Sequence, residues 1–306
     1  KDLEDIIEKN TFDVVICYHW EAIALCHHLK KIKKIALFGD PFHQTVKYGA
    51  NVEIANYLKN KIYYFFSILK QKQIKKYSAK ILSNYNFRFA FSKGHADDFA
   101  KNNIKCNYIR TPIENNKILK STKNSVLKIL HVGHLLGTTS RDSFKNLLFE
   151  YVPEILKFVH ESNIVINVVG PIDKSFINSY PNIKKKLKKY KFIKLIGPVY
   201  PIEKAYKNND LILVCNKIPL GIRIRILTAF SFGFPVVSTY SNRFGIPEMK
   251  DSYNCLLGKN ARELAKKTLI IKYNNHIKSM IKKNSLKLQR ELFSFESLKK
   301  QLMNLY

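Results

Sequence analysis

The chain has 306 residues, 46% of them hydrophobic, which is more than a single core usually holds and points to two domains. Its 53 Lys+Arg against 23 Asp+Glu leave a formal charge of +30, which favours contact with a polyanion. Five cysteines, odd in number and without CxxC spacing, exclude a disulfide framework and a structural zinc site, and no apolar run reaches the ~20 residues of a spanning helix. The excess lysine is spread along the chain, so nucleic acid, an anionic membrane surface and a compositional bias with no partner stand side by side as explanations.

The sequence opens on a charged, helix-like run, KDLEDIIEKN, with no apolar signal stretch and no Met. The loss of a first βα unit is expected from this, and a reducing, cytoplasmic setting from the cysteine usage. DVVICY at 13–18 and IALF at 35–38 flank a helical stretch at 20–29, the rhythm of βαβ units. His19 follows the first strand, and Asp40 and His43 follow the second in FGDPFH. All three are expected to point into a cleft, where a carboxylate or imidazole orients or deprotonates an acceptor hydroxyl. A capping Asp before Pro41 with incidental histidines is the competing reading. Cys26, His27 and His28 are consecutive on a helix, so their side chains diverge and no metal site is expected.

Residues 60–80 mix Tyr63, Tyr64, Phe65 and Phe66 with lysines. The lysines suit an anionic lipid surface, and the aromatics suit the N-terminal core. Strands follow at 87–92 and 107–110, with His95 as a surface or capping residue between them, and the polar stretch 111–125 is placed as the interdomain linker. The first domain is thus expected over 1–115, the second over 126–285 and a terminal helix over 286–306.

The second half reads as strands at 127–133, 164–170, 192–197, 211–216 and 235–239 with helical runs between most of them, which predicts a doubly wound α/β sheet with ligands at the carboxyl ends of its strands. Gly133, Gly170 and Gly197 each end a strand, where a missing side chain admits a ligand or another backbone. In PLGIRIRILTAFSFGFPVVST, residues 219–239, Gly221 is expected to open a helix whose first turns carry Arg223 and Arg225. A helix start with guanidinium groups suits a diphosphate and takes over the charge role of a metal ion, so no metal or cofactor is expected. Gly233 is read as the helix stop.

These motifs carry a resemblance. VGHL at 132–135, Lys145–Asn146, VVG at 168–170, IGPV at 196–199, the block at 221–239 and FGIPEMKDSYNCLL at 244–257 resemble, in that order, the donor domain of GT-B glycosyltransferases, family 4 (group 1) in particular. FAFSKGHADDFAKNNIKCNYIRTPI at 89–113 resembles the same family more loosely. The resemblance implies two Rossmann-like domains facing a central cleft, with FSFESLKKQLMNLY as a last helix crossing back to the first domain. It implies that Arg223, Arg225 and Lys145 act on the donor diphosphate, with Gly133, His134, Gly170, Val199, Gly221 and Thr228 around the donor. The implied activity is metal-independent, retaining transfer from a nucleoside diphosphate sugar to a glycan or lipid-linked hydroxyl acceptor in surface polysaccharide synthesis, by a protein peripheral on the inner face of the cell membrane. Nucleic acid is not an expected partner. Leu220 and Thr228 stand where the family has two glutamates, and His134 where an Arg often follows the first glycine. These departures leave open a basic polyanion- or membrane-binding protein on a degenerate scaffold.

Overall fold

The computed structural model describes residues 2–10, 12–41, 43–45, 48, 59–119, 125–207 and 209–304. The chain divides into two compact units, one of residues 1–110 with 220–222, the other of 111–219 with 223–306.

The first unit holds helices α1 (Asp2–Lys9), α2 (His19–Cys26), α3 (Lys59–Leu82) and α4 (Lys93–Ala100), and strands β1 (Val14–Tyr18), β2 (Lys33–Phe38), β3 (Phe87–Ala90) and β4 (Asn107–Tyr108). The strands are all parallel in the order β1-β2-β3-β4. That is the arrangement successive right-handed βαβ crossovers produce when each new strand is laid on the same side of the last. Cys17, Ile23, Ala36, Phe38, Ile81, Leu82 and Phe99 form its core, and the buried Tyr85 hydroxyl donates to the Ile23 carbonyl at 2.7 Å. Residues 60–80 are helical as expected, within α3; the side chains of Tyr63, Tyr64 and Phe65 lie outside the described residues, and Phe66 is exposed.

The second unit holds strands β5 (Leu127–Val132), β6 (Ile164–Val169), β7 (Ile193–Gly197), β8 (Leu211–Val214), β9 (Val236–Thr239) and β10 (Leu256–Gly258). Its helices are α5 (Thr138–Asn146), α6 (Val152–Ile155), α7 (Lys174–Ser179), α8 (Pro181–Lys189), α9 (Glu203–Tyr206), α10 (Ile224–Ser231), α11 (Ala261–Tyr273), α12 (Asn275–Leu292) and α13 (Phe295–Met303). The parallel sheet runs β10-β9-β8-β5-β6-β7, so the chain winds outward through β6 and β7, returns to the middle, and winds the other way from β8. The reversal falls between β5 and β8, a topological switch point. β8 and β9 are buried along their whole length; β8 accordingly reads as an unbroken apolar run, LILV, while β9 begins with two valines and ends on the buried Ser238 and Thr239. Among the described residues, no helix is long and apolar enough to cross a membrane.

Two expected boundaries shift for identifiable reasons. The units divide at Arg110/Thr111, before the stretch expected as linker, because the Ile113 amide donates to Phe293 O at 2.7 Å and the Gln289 side chain donates to Ile113 O at 2.8 Å. The segment start expected at 286 falls inside α12, where Leu286 packs against Gly233. Helix α10 ends as the sequence indicates. Gly233 sits at φ +60, its amide bonds to Phe230 O at 3.0 Å and that of Phe234 to Ala229 O at 2.8 Å, the paired bonds of a Schellman motif. A Cβ at this glycine would lie 2.7 Å from Leu286 Cδ1. Gly233→Ala is therefore expected to cost about 1–2 kcal/mol through left-handed backbone strain alone, read as a lowered urea midpoint at unchanged slope.

Candidate functional site

The site is built where β5, β6 and β8 end. The Gly133 amide donates to Val169 O at 2.9 Å, and the Gly170 amide donates to Gly197 O at 2.9 Å, so three strand-terminal glycines are joined in sequence across the sheet edge. Gly170 has φ +132, and a Cβ there would collide with the Gly133 carbonyl. Gly133 is itself enclosed: a Cβ on it would collide with Arg225 Nη1 and lie 3.3 Å from Ser140 Oγ. Two loops thus approach each other at backbone distance, which only glycine permits.

Arg225 lies beneath them. Its Nη1 donates to Val132 O and its Nη2 to Asn216 Oδ1 at 2.9 Å, tying the end of β5 to the residues after β8 across the switch point. Burial, with the Arg223 charge beside it, pushes its pKa down to about 10, so it remains a cation at neutral pH. Asn216 is completely buried and acts as the hub: its Nδ2 donates to Thr139 O at 2.6 Å at the start of α5, and its carbonyl accepts the hydroxyls of Thr239 and Ser241. Helix α5 begins at an N-cap glycine, Gly137, which offers no side-chain cap; its carbonyl accepts the Ser140 and Arg141 amides at 3.1 and 2.9 Å, so the amides of Thr138 and Thr139 are the ones a glycine cap leaves to an outside acceptor. His134 is exposed, with its ring over Gly137.

Helix α10 differs from its expected form. Gly221, at φ +66, precedes it by three residues, Arg223 is its N-cap at φ −101, and Arg225 is its second residue. Arg223 is 8% exposed and donates to Ile218 O at 3.4 Å. Thr228 lies one turn beyond Ile224 on the less buried face. A groove of about 440 Å³ runs along the sheet from Asn167 past Val169 to Ile196 and Val199.

Lys145 is held by an aromatic ring rather than by a carboxylate. It lies seven residues after the first residue of α5, about 10 Å along the axis, and its ammonium stacks on the Tyr180 ring at 4.1 Å. The nearer cation on that helix is Arg141, which sequence reasoning passed over. Its Nε donates to Leu135 O at 2.9 Å and its Nη2 pairs with Asp173 at 2.6 Å, the carboxylate that also caps α7.

In the first unit, His19 and Asp40 come to the carboxyl ends of β1 and β2 as expected. His19 adopts φ 65, a conformation a non-glycine residue holds only under compulsion, and its ring lies over Gly39. The segment 220–222 groups with this unit, and a Cβ at Gly221 would collide with the Asp40 carboxylate. His43 turns away instead: it is 2% exposed, with Nε2 3.1 Å from Asp98, because the short helical turn after Pro41 points it at α4. His95 is fully buried rather than at the surface, its Nε2 3.4 Å from the Gly221 amide, since it lies on the inward face of α4 with Ala96 and Phe99.

Residues 127–271 match the family model described as Glycosyl transferases group 1, just under half of the chain. No curated protein matches in sequence. Among solved structures the chain is similar to TarM (16% identity, TM-score 0.74, 98% of this chain and 57% of that one). It is also similar to HepE from Anabaena, solved with UDP and glucose (13%, 0.73, 99% and 80%), and to the sucrose-phosphate synthase of Thermosynechococcus elongatus (14%, 0.73, 99% and 75%). At such identities the likeness is one of fold, and the fold is that of the GT-B glycosyltransferases. The chain spans little more than half the length of TarM.

The glycine contact makes a direct prediction. Gly170→Ala must separate the Gly133 and Gly170 loops and should cost about 1–3 kcal/mol, measured by chemical unfolding, while Ser140→Ala beside the same loop leaves the backbone contact intact and should cost less.

Proposed function

We propose that this chain, whose residues 127–271 match the group 1 glycosyl transferases, moves a sugar from a nucleoside diphosphate sugar to a hydroxyl of a glycan or lipid-linked acceptor in surface polysaccharide synthesis. The observation that carries the reading is the meeting of the Arg225 guanidinium with the closely approaching Gly133 and Gly170 at the switch point between β5 and β8, the place where doubly wound sheets take nucleotides. UDP is the proposed nucleotide, supported by the UDP complexes of HepE.

The roles follow from position. Arg223, at the start of α10, contacts the diphosphate, and Arg225 holds the floor beneath it as a fixed positive charge. The open amides at the start of α5 supply further donors to the same anion. As the bond to the sugar breaks, charge builds on the leaving diphosphate, and preorganised cations stabilise it without reorientation. We assign that role to the arginines in place of a metal ion, and propose no cofactor beyond the donor. The base and ribose are assigned to the side of Val199 and Thr228, where a hydroxyl replaces the family's glutamate and offers a single neutral hydrogen bond. His19 and Asp40 are proposed for the acceptor. Retention of configuration follows from the resemblance. The charge of +30 supports a peripheral seat on the inner face of the cell membrane.

Calorimetric titration with UDP, GDP, ADP and CMP tests this without the acceptor. Saturable UDP binding is expected, weakened about tenfold or more by Arg223→Ala, on the scale of a charge-assisted hydrogen bond. Absence of binding by any of the four, or affinity unchanged in the variant, would turn the assignment toward a basic polyanion-binding protein on the same scaffold.

A further inference from the structure

Outside the proposed transfer machinery, a cavity of about 570 Å³ lies in the first unit, at the amino-terminal ends of β2 and β3. Strand β2 has six residues, about 20 Å, so this cavity lies at the opposite edge of the sheet from Gly39 and Asp40. Its wall is formed by the end of α2 and the turn into β2, His27 to Lys34, with Asn84 and Asn86 from the turn between α3 and β3. Four lysines, Lys30, Lys31, Lys33 and Lys34, and two histidines line it, with no Asp or Glu among the described residues.

The four lysines are not alike. Lys30, Lys31 and Lys33 are exposed, as surface lysines ordinarily are, whereas Lys34 is 4% exposed. Its Nζ donates to His27 O at 2.7 Å and lies 5.3 Å from the centre of the Tyr85 ring, and it has no carboxylate partner among the described residues. A buried ammonium with only neutral partners is costly, and burial correspondingly lowers the Lys34 pKa. The backbone around it is fixed: the Lys34 amide donates to Asn86 Oδ1 at 2.8 Å and the Asn86 amide to Lys34 O at 3.0 Å. The wall is therefore a preformed cation, desolvated on its inner side, fronted by three exposed cations and amide donors. The volume is within the roughly 300–1,000 Å³ of small-ligand sites.

We propose that this cavity binds a phosphate group, carried by a soluble phosphate or by the headgroup of an anionic lipid. The phosphate supplies the counter-charge that Lys34 lacks inside the protein, and the exposed lysines and asparagine amides close over its remaining oxygens. The inference stands whether or not the transferase reading holds, since none of these residues belongs to the proposed donor or acceptor sites.

The test titrates the full chain with inorganic phosphate at constant ionic strength, and separately sediments it with vesicles of phosphatidylcholine alone or mixed equally with phosphatidylglycerol. Two variants are compared, Lys34→Met and the surface pair Lys31→Ala with Lys33→Ala, the second leaving the fold untouched. Saturable phosphate binding that raises wild-type melting temperature, and that weakens about tenfold in each variant, supports a site for soluble phosphate. Sedimentation with the phosphatidylglycerol vesicles only, lost in both variants, supports a headgroup site. Binding to neither probe overturns the proposal. So does binding that depends on the surface pair and is unchanged in Lys34→Met, because attraction to a diffuse lysine surface needs no buried cation.

Discussion

The arrangement at the edge of the second sheet depends on one partly buried guanidinium, that of Arg225. At a switch point the strands on either side send their crossovers in opposite directions, so the gap between β5 and β8 is left without a helix directly over it. Arg225 spans that gap, bonded to Val132 O on one side and Asn216 Oδ1 on the other. Several features of the local sequence follow from this placement. Gly133 has no room for a side chain because the guanidinium is already there, and Gly170 has none because Gly133 has been drawn up against it. Asn216 is buried because it must offer an oxygen to Arg225 and a nitrogen to Thr139 O at once, which only an amide can do. His131, also in β5, is held neutral: burial, then the Arg225 charge, push its pKa down to about 3 despite its bond to Leu213 O.

The legible part of the sequence was the part governed by backbone and period. A strand such as β8 is legible because a buried parallel strand is a continuous apolar run, and the helix stop at Gly233 because left-handed backbone selects glycine. The glycines after β5, β6 and β7 could be recognised as close approaches without knowing what approached. Side-chain destinations were not legible in the same way. Lys145 and Arg141 are one turn apart on α5, and nothing local indicates that one stacks on Tyr180 while the other meets Asp173. His43 meets Asp98, 55 residues away on another helix, a partner that nothing near it in sequence indicates. The start of α10 is hidden for a related reason: Gly221 adopts positive φ where segment 220–222 leaves the first unit, and the helix waits until Ile224.

The charge of the chain is better understood by how its buried cations are balanced than by its sum. Asp210 is 3% exposed and faces Lys272 at 3.3 Å and Lys278 at 3.8 Å, so there a buried carboxylate meets buried ammonium groups and the cluster is largely neutralised within the protein. Arg225 and Lys34 are treated differently. Each is fixed by carbonyl or amide oxygens, which satisfy donors and set geometry but carry no net charge, so the positive potential survives at the surface above. A protein gains nothing in stability from leaving such a charge uncompensated, and replacing the oxygen acceptors with a carboxylate would remove the cost. The same omission at the carboxyl edge of one sheet and the amino edge of the other is explained if the balancing charge comes from outside, as a diphosphate in one case and a single phosphate in the other. The exposed lysines then act at longer range, drawing anions toward two points that the buried cations define.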